Sequence, residues 1–106
     1  MKSNPFKDFV EHQLEDVPGL RFRRMFGGFG IYSGDVFFGI IHKENLYFRT
    51  NATTRKRYED SGMTVFITPA RKKALKKYYE VPLSVIEQRT ELIEWARDAV
   101  KSVDEP

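Results

Sequence analysis

The sequence predicts an α+β fold: a central antiparallel β-meander packed with an amino-terminal helix and carboxy-terminal helices. Three observations carry this. Apolar residues recur at helical spacing near both ends of the chain, they alternate with period two from Leu20 to Arg49, and short runs of glycine and polar residues divide the alternating segments. At 106 residues the chain has material for one hydrophobic core and reads as a single domain over 1–106.

Asn4 before Pro5 is a helix start, because asparagine accepts from a free N–H and proline brings a φ already set for the first helical position. Phe6, Phe9, Val10, Leu14 and Val17, with Gln13, follow spacings of three and four and form one stripe, which Pro18 and Gly19 end. His12 falls off the stripe and is expected in solvent.

From Leu20 the period changes. Leu20, Phe22 and Phe26 share one side with Arg24, while Arg21, Arg23 and Met25 share the other, as in a half-buried strand. The stretch RRMFGGFGIY, Arg23 to Tyr32, turns the first corner: Gly27, Gly28 and Gly30 permit the close backbone approach that a reversal or bulge requires. Gly28, Gly30 and Ser33 spell only GxGxxS without the strand-then-helix setting of a phosphate loop, so they read as backbone geometry. Phe29 and Ile31 then alternate with Gly30 and Tyr32, and Ser33, Gly34 and Asp35 turn the chain into VFFGII. There Val36, Phe38 and Ile40 are expected on one face and Phe37, Gly39 and Ile41 on the other, both apolar, as in a central strand. HKEN leads into LYFR and completes four strands, with Phe22, Phe26, Phe29, Phe38 and Phe48 as core at roughly 1.5–3 kcal/mol of burial each.

Thr50 or Asn51 is placed to cap a short helix through ATTRKRYEDS, ended by Gly62, with Tyr58 turned to the sheet. MTVFIT is a short β-like run stopped by Pro69. ARKKALKKYYE fits helical spacing and alternation equally. Pro82 to Gln88 reads as one or two helical turns with Val85 and Ile86 inward. Thr90 is expected to cap a last helix whose stripe is Leu92, Trp95, Ala96, Ala99, Val100 and Val103, and Ser102 to Pro106 to fray.

The stretches RRMFGGFGIY, VFFGII and LYFR, followed by YYEVP and LIEWARDAV, resemble the amino-terminal domain of the TfoX family, associated with regulation of natural competence in bacteria. The resemblance covers almost the whole chain, and RRMFGGFGIY and YYEVP are its specific parts. Regulatory members resemble this chain in their first half only and continue into a carboxy-terminal domain. The resemblance therefore implies a small standalone domain of a type linked to transcriptional regulation, with no catalytic residues to carry over. It also implies a strand from Ala74 to Glu80, which the β-propensity of Tyr78, Tyr79 and Val81 favours.

Composition limits the remaining function classes. There is no cysteine for a disulfide or thiolate chemistry, and no apolar run for a signal peptide or membrane span, so the chain reads as cytoplasmic with no membrane contact. HExxH, CxxC and GxSxG are absent and the two histidines lie far apart, so no metal, cofactor or catalytic residue is assigned. A polar cluster of Tyr79 and Glu80 with Arg23 or Arg24 is one arrangement the strands would allow. Eighteen Lys and Arg against fifteen Asp and Glu leave +3. The basic residues cluster as Arg21, Arg23 and Arg24; Arg55, Lys56 and Arg57; and Arg71, Lys72, Lys73, Lys76 and Lys77. These are the candidate contacts for a polyanion or partner if two clusters converge, and a solvated charged face if they do not. A base-stacking sheet face is the rival use of the aromatics and needs one face left open. The expectation is a noncatalytic module with a protein partner in transcription, the alternatives being weakly specific nucleic-acid binding and an enzyme of unrecognised type. A homodimer through a sheet edge or the Phe37 face is a further expectation.

Overall fold

A computed structural model describes residues 4–25 and 27–104. Its elements run α1 (Pro5–Gln13), β1 (Leu20–Met25), β2 (Gly28–Ser33), β3 (Val36–His42), β4 (Asn45–Arg49), α2 (Arg55–Asp60), β5 (Val65–Ile67), β6 (Ala74–Glu80), α3 (Leu83–Ile86) and α4 (Arg89–Lys101), with a 3-10 turn at Ser102–Asp104. The strands form one antiparallel sheet in the order β1-β2-β3-β4-β6-β5, so the four-stranded meander is extended by β6 beside β4, with β5 crossing over to the far edge. The expected α+β fold is present, and the ambiguous 74–80 segment is a strand. Phe26, expected in the core, lies outside the described residues.

The helices begin and end largely for the reasons their sequences give. Asn4 Oδ1 accepts the Lys7 N–H at 3.0 Å and heads α1. Val10, Leu14 and Val17 are buried, and buried Gln13 donates through Nε2 to the Ile86 carbonyl at 2.9 Å, tying α1 to α3. Phe9 departs from the expected stripe and is exposed, because the inward face centres on Val10 and Leu14 and leaves position 9 at its margin. Gly62 ends the α2 segment at φ +77°. Gln88, not Thr90, stands at the N-cap of α4, and Thr90 lies within the helix. Ser102 is buried and its hydroxyl donates to the Ala99 carbonyl at 2.6 Å, so the expected fraying does not begin there; Glu105 and Pro106 lie outside the described residues.

Strand β3 does not alternate as its sequence suggests. Ile31 pairs with Gly39 but Tyr32 pairs with Phe37, which leaves Phe38 as the extra residue of a β-bulge. The bulge turns Phe38 onto the helix side, against Phe48 at 5.7 Å between ring centres, together with Ile41. Ile40 goes to the other side with Tyr47 and Tyr78. Gly39 makes this fit: an added Cβ would stand 3.2 Å from both Ile31 Cδ1 and Phe48 Cδ1.

All four helices contribute to the core on that one face, through Val10, Tyr58, Val85, Ile86, Leu92, Trp95, Ala96 and Ala99. The opposite face is covered by the sheet itself. Phe66 of β5 is fully buried against Tyr47 and His42, with ring centres at 4.9 and 5.5 Å, and Leu75 packs beside it. The β5–β6 connection reaches the β1–β2 turn, where Thr68, Pro69 and Ala70 share a depression with Gly27. Much of the second aromatic face is therefore occupied from within, which removes the open platform that base stacking requires.

Candidate functional site

The three basic clusters meet different fates. Arg21 is held at the sheet edge, donating to the Gly34 carbonyl at 3.1 and 3.3 Å and lying over the Tyr32 ring at 5.4 Å. Arg23 shares that side, opposite Gly30, whereas Arg24 lies on the helix side over Phe29 at 5.5 Å. Strand β1 is four positions from β6 in the sheet, about 19 Å at the usual strand spacing of about 4.8 Å. The polar cluster expected between Arg23 or Arg24 and Tyr79 or Glu80 is therefore not formed. Tyr79 donates instead to Glu59 Oε2 at 3.3 Å, and burial followed by the Glu59 carboxylate pushes its pKa up. Arg71, Lys72 and Lys73 sit exposed on the β5–β6 connection, with Lys72 at φ +51°; Lys76 is exposed on β6.

Arg57 turns inward, unlike its neighbours Arg55 and Lys56. Its guanidinium stacks 4.4 Å from the Trp95 ring centre, and Nη1 donates to Asp98 Oδ2 at 3.0 Å, bridging α2 to α4. Its Nε and Nη2 are buried without a hydrogen-bond partner, as is the Tyr58 hydroxyl. Burial pushes the Tyr58 phenol well above its ordinary range; the nearby Arg57 charge opposes this only in part. This pair is packing as much as charge.

Convergence occurs at the entry to α2. Asn51 organises the turn there: its Oδ1 accepts the Thr53 and Thr54 N–H groups at 3.0 and 2.8 Å, while Thr54 Oγ1 accepts the Asn51 N–H at 3.0 Å. Buried Thr50 fastens this turn to β6, donating to the Lys77 carbonyl from its N–H at 2.6 Å and its hydroxyl at 2.9 Å. Arg55 and Lys77 thereby line one depression of about 250 Å³ with Thr50, Asn51 and Ala52. On the other side of the turn, a depression of about 330 Å³ is lined by Asn51, Thr53, Thr54, Arg57, Asp98 and Lys101. A third, about 220 Å³, is lined by Val17, Pro18, Ser33, Arg97, Val100 and Lys101.

Shared walls join the three: Asn51 belongs to the first two and Lys101 to the last two. The result is a track of three adjoining depressions with Lys77, Arg55, Arg57, Lys101 and Arg97 along it, and a single lining carboxylate, Asp98, already held by Arg57. It presents cations and hydroxyls to an anionic surface. Arg97 and Lys101 were not among the residues the sequence suggested, because each stands alone among the acidic and apolar residues of α4 and forms no basic run. Their i,i+4 spacing was the available signal. Among the described residues, no group of three or more His, Asp or Glu side chains is placed to hold a metal ion. No helix there is long and apolar enough to cross a membrane.

No curated protein matches this sequence. The TfoX N-terminal domain family, by contrast, matches residues 12–103, from the end of α1 into the 3-10 turn, and so takes in the whole sheet, the glycine corner and every residue of the track. With the match extending over nearly the full chain, this protein belongs to the TfoX N-terminal domain family.

Proposed function

We propose that this chain is a noncatalytic interaction module of transcriptional regulation, of the competence type, working in the cytoplasm as a single domain. It acts by engaging an acidic surface of a protein partner in the transcription machinery or among its regulators. The observation that supports this reading is the track: five cations from α2, β6 and α4 spread over three shallow adjoining depressions, with their one lining carboxylate already paired. Such a surface accelerates encounter and selects an oppositely charged partner more than it encloses a small substrate. Family membership supports the regulatory role.

A second reading, direct and weakly specific contact with nucleic acid, draws on Arg55 and Lys77, which reach one depression from different elements. Fluorescence anisotropy of labelled duplex and single-stranded DNA, at low and near-physiological salt, separates the two. The protein-partner reading expects little DNA binding at physiological salt, and affinity capture of an acidic partner that is lost with Arg55→Glu/Lys77→Glu. Strong DNA binding that falls with a log–log salt slope of about 0.9 per duplex phosphate contacted would replace it with the second reading.

A further inference from the structure

The three depressions of the track are not alike. The one between α4 and the α1–β1 turn has an apolar floor of Val17, Pro18 and Val100, and two cations, Arg97 and Lys101, one helical turn apart along its rim. We propose that this groove docks an acidic amphipathic helix of a partner protein, which places a leucine- or phenylalanine-sized side chain on the apolar floor and carboxylates against Arg97 and Lys101. The inference rests on the protein-partner reading above and names the partner's chemistry.

Charge complementarity carries the choice of occupant. The carboxylates that flank the groove walls are engaged elsewhere: Asp98, between Arg97 and Lys101 in the chain, pairs with Arg57 at 3.0 Å, and Glu15 and Asp16, just before Val17, pair with Arg89 at 3.2 and 3.1 Å, while exposed Glu94 and Asp104 form no ion pair with either groove cation. Arg97 and Lys101 form no ion pair among the described residues, and both are exposed. The groove thus has an apolar floor and two cations with no ion-pair partner among the described residues, and an acidic amphipathic helix presents the complementary pattern. Its size agrees. At about 220 Å³ it is smaller than the roughly 300–1,000 Å³ typical of pockets that bury a free small molecule, and suits one or two anchoring side chains of a larger partner.

The walls are also set before any partner arrives. The Ser33 hydroxyl donates to the Pro18 carbonyl at 2.6 Å, and the Gly34 N–H donates to the Gly19 carbonyl at 2.9 Å, fixing the α1–β1 turn against the end of β2. The opposite wall is α4, anchored by Trp95, Ala96 and Ala99 in the core. A preformed groove spares the partner the cost of ordering it.

The test uses a display library of helical peptides of about sixteen residues, long enough for about four turns, randomised on one face. It is panned against the whole chain and counter-panned against Arg97→Glu/Lys101→Glu, a change at two exposed sites that should leave the fold intact by circular dichroism. The expected peptides combine Asp or Glu with a Leu or Phe at spacings of three or four and lose about tenfold or more in affinity for the double variant. Replacing their acidic residues by lysine should reverse the preference, and their titration should move the amide signals of Val17, Ser33 and Val100. An absence of any acidic–apolar consensus, or affinity indifferent to the double reversal, overturns the proposal. Acidic peptides whose shifts map only to Arg55 and Lys77 overturn it too, while leaving the protein-partner function standing. Failure of acidic peptides everywhere, alongside strong salt-sensitive DNA binding, overturns both.

Discussion

Alanine at Gly28 is expected to be far more damaging than alanine at either neighbouring glycine of the β1–β2 corner, although sequence alone treats the three alike. A Cβ on Gly28 would overlap the Ile41 carbonyl oxygen and come within 3.0 and 3.1 Å of Ile41 C and His42 Cα, all of them backbone atoms of β3. No rotamer change relieves a clash with backbone, so β2 and β3 must separate where Phe29 pairs with Ile41. Overpacking that moves backbone falls at or beyond the upper end of the usual range, about 3 kcal/mol or more. Gly27 presents the opposite case: its Cβ would meet nothing within 4 Å, and only its φ of +76° opposes a side chain, at about 1–2 kcal/mol. At Gly30 the Cβ would meet side chains only, the flexible end of Met25 with Cε at 2.5 Å and Sδ at 2.7 Å and the Phe37 ring at 3.0 Å, so a rotation of the thioether and a small shift of the ring should hold the cost to about 1–2 kcal/mol. Urea unfolding followed by far-UV circular dichroism and Trp95 fluorescence reads the order directly. For a stability on the order of 5–15 kcal/mol, Gly28→Ala should lower Tm by about 12 °C or more. A Gly28→Ala chain within about 1 kcal/mol of the parent, or more stable than Gly27→Ala, would refute the reasoning.

Three further outcomes follow from the same geometry. Asp98→Ala removes the partner of Arg57 and should cost about 1 kcal/mol, since both groups are partly exposed, and shift Trp95 emission as the stacked guanidinium relaxes; unchanged emission and stability would show the bridge to be inert. Tyr47, Tyr58, Tyr78 and Tyr79 all have pKa values raised by burial, so the folded state keeps protons that the unfolded state releases near the ordinary tyrosine value of about 10. Their contribution is fully present below about pH 10 and is lost as pH rises towards the folded values, most steeply for deeply buried Tyr58, at up to about 1.4 kcal/mol per pH unit. Tyr58→Phe should flatten that alkaline loss by one tyrosine while changing neutral stability little, because the buried hydroxyl it removes faces the Arg57 guanidinium without a well-formed hydrogen bond; an unaltered alkaline slope would contradict this. Thr50→Val keeps the volume and the backbone bond to Lys77 but loses the hydroxyl donor, for about 1 kcal/mol in urea unfolding; a neutral result would mean that the N–H alone fastens the α2 entry to β6.

Local physics alone determined much of this protein. Asn4 and Pro5 start α1, Gly62 ends the α2 segment, and the alternation from Leu20 to Arg49 marks four strands, because capping and periodicity act within a few residues of chain. The departures have tertiary causes. The bulge at Phe38 reverses the facing of the residues around it, and it is visible only once Ile31 and Tyr32 have found their partners across the sheet. The second face could not be read as covered until β5 carried Phe66 over Tyr47 and His42. The candidate site divides in the same way. Arg55 and Lys77 were legible as members of basic runs, but 22 positions of sequence separate them, and the Thr50 bonds to β6 bring them together. Arg97 and Lys101 belong to no run, and Arg57 belongs to one but turns away from it onto Trp95. Composition and spacing along the chain decide which charges exist; the pairing of distant strands and helices decides which of them share a surface, because electrostatic attraction depends on distance in space.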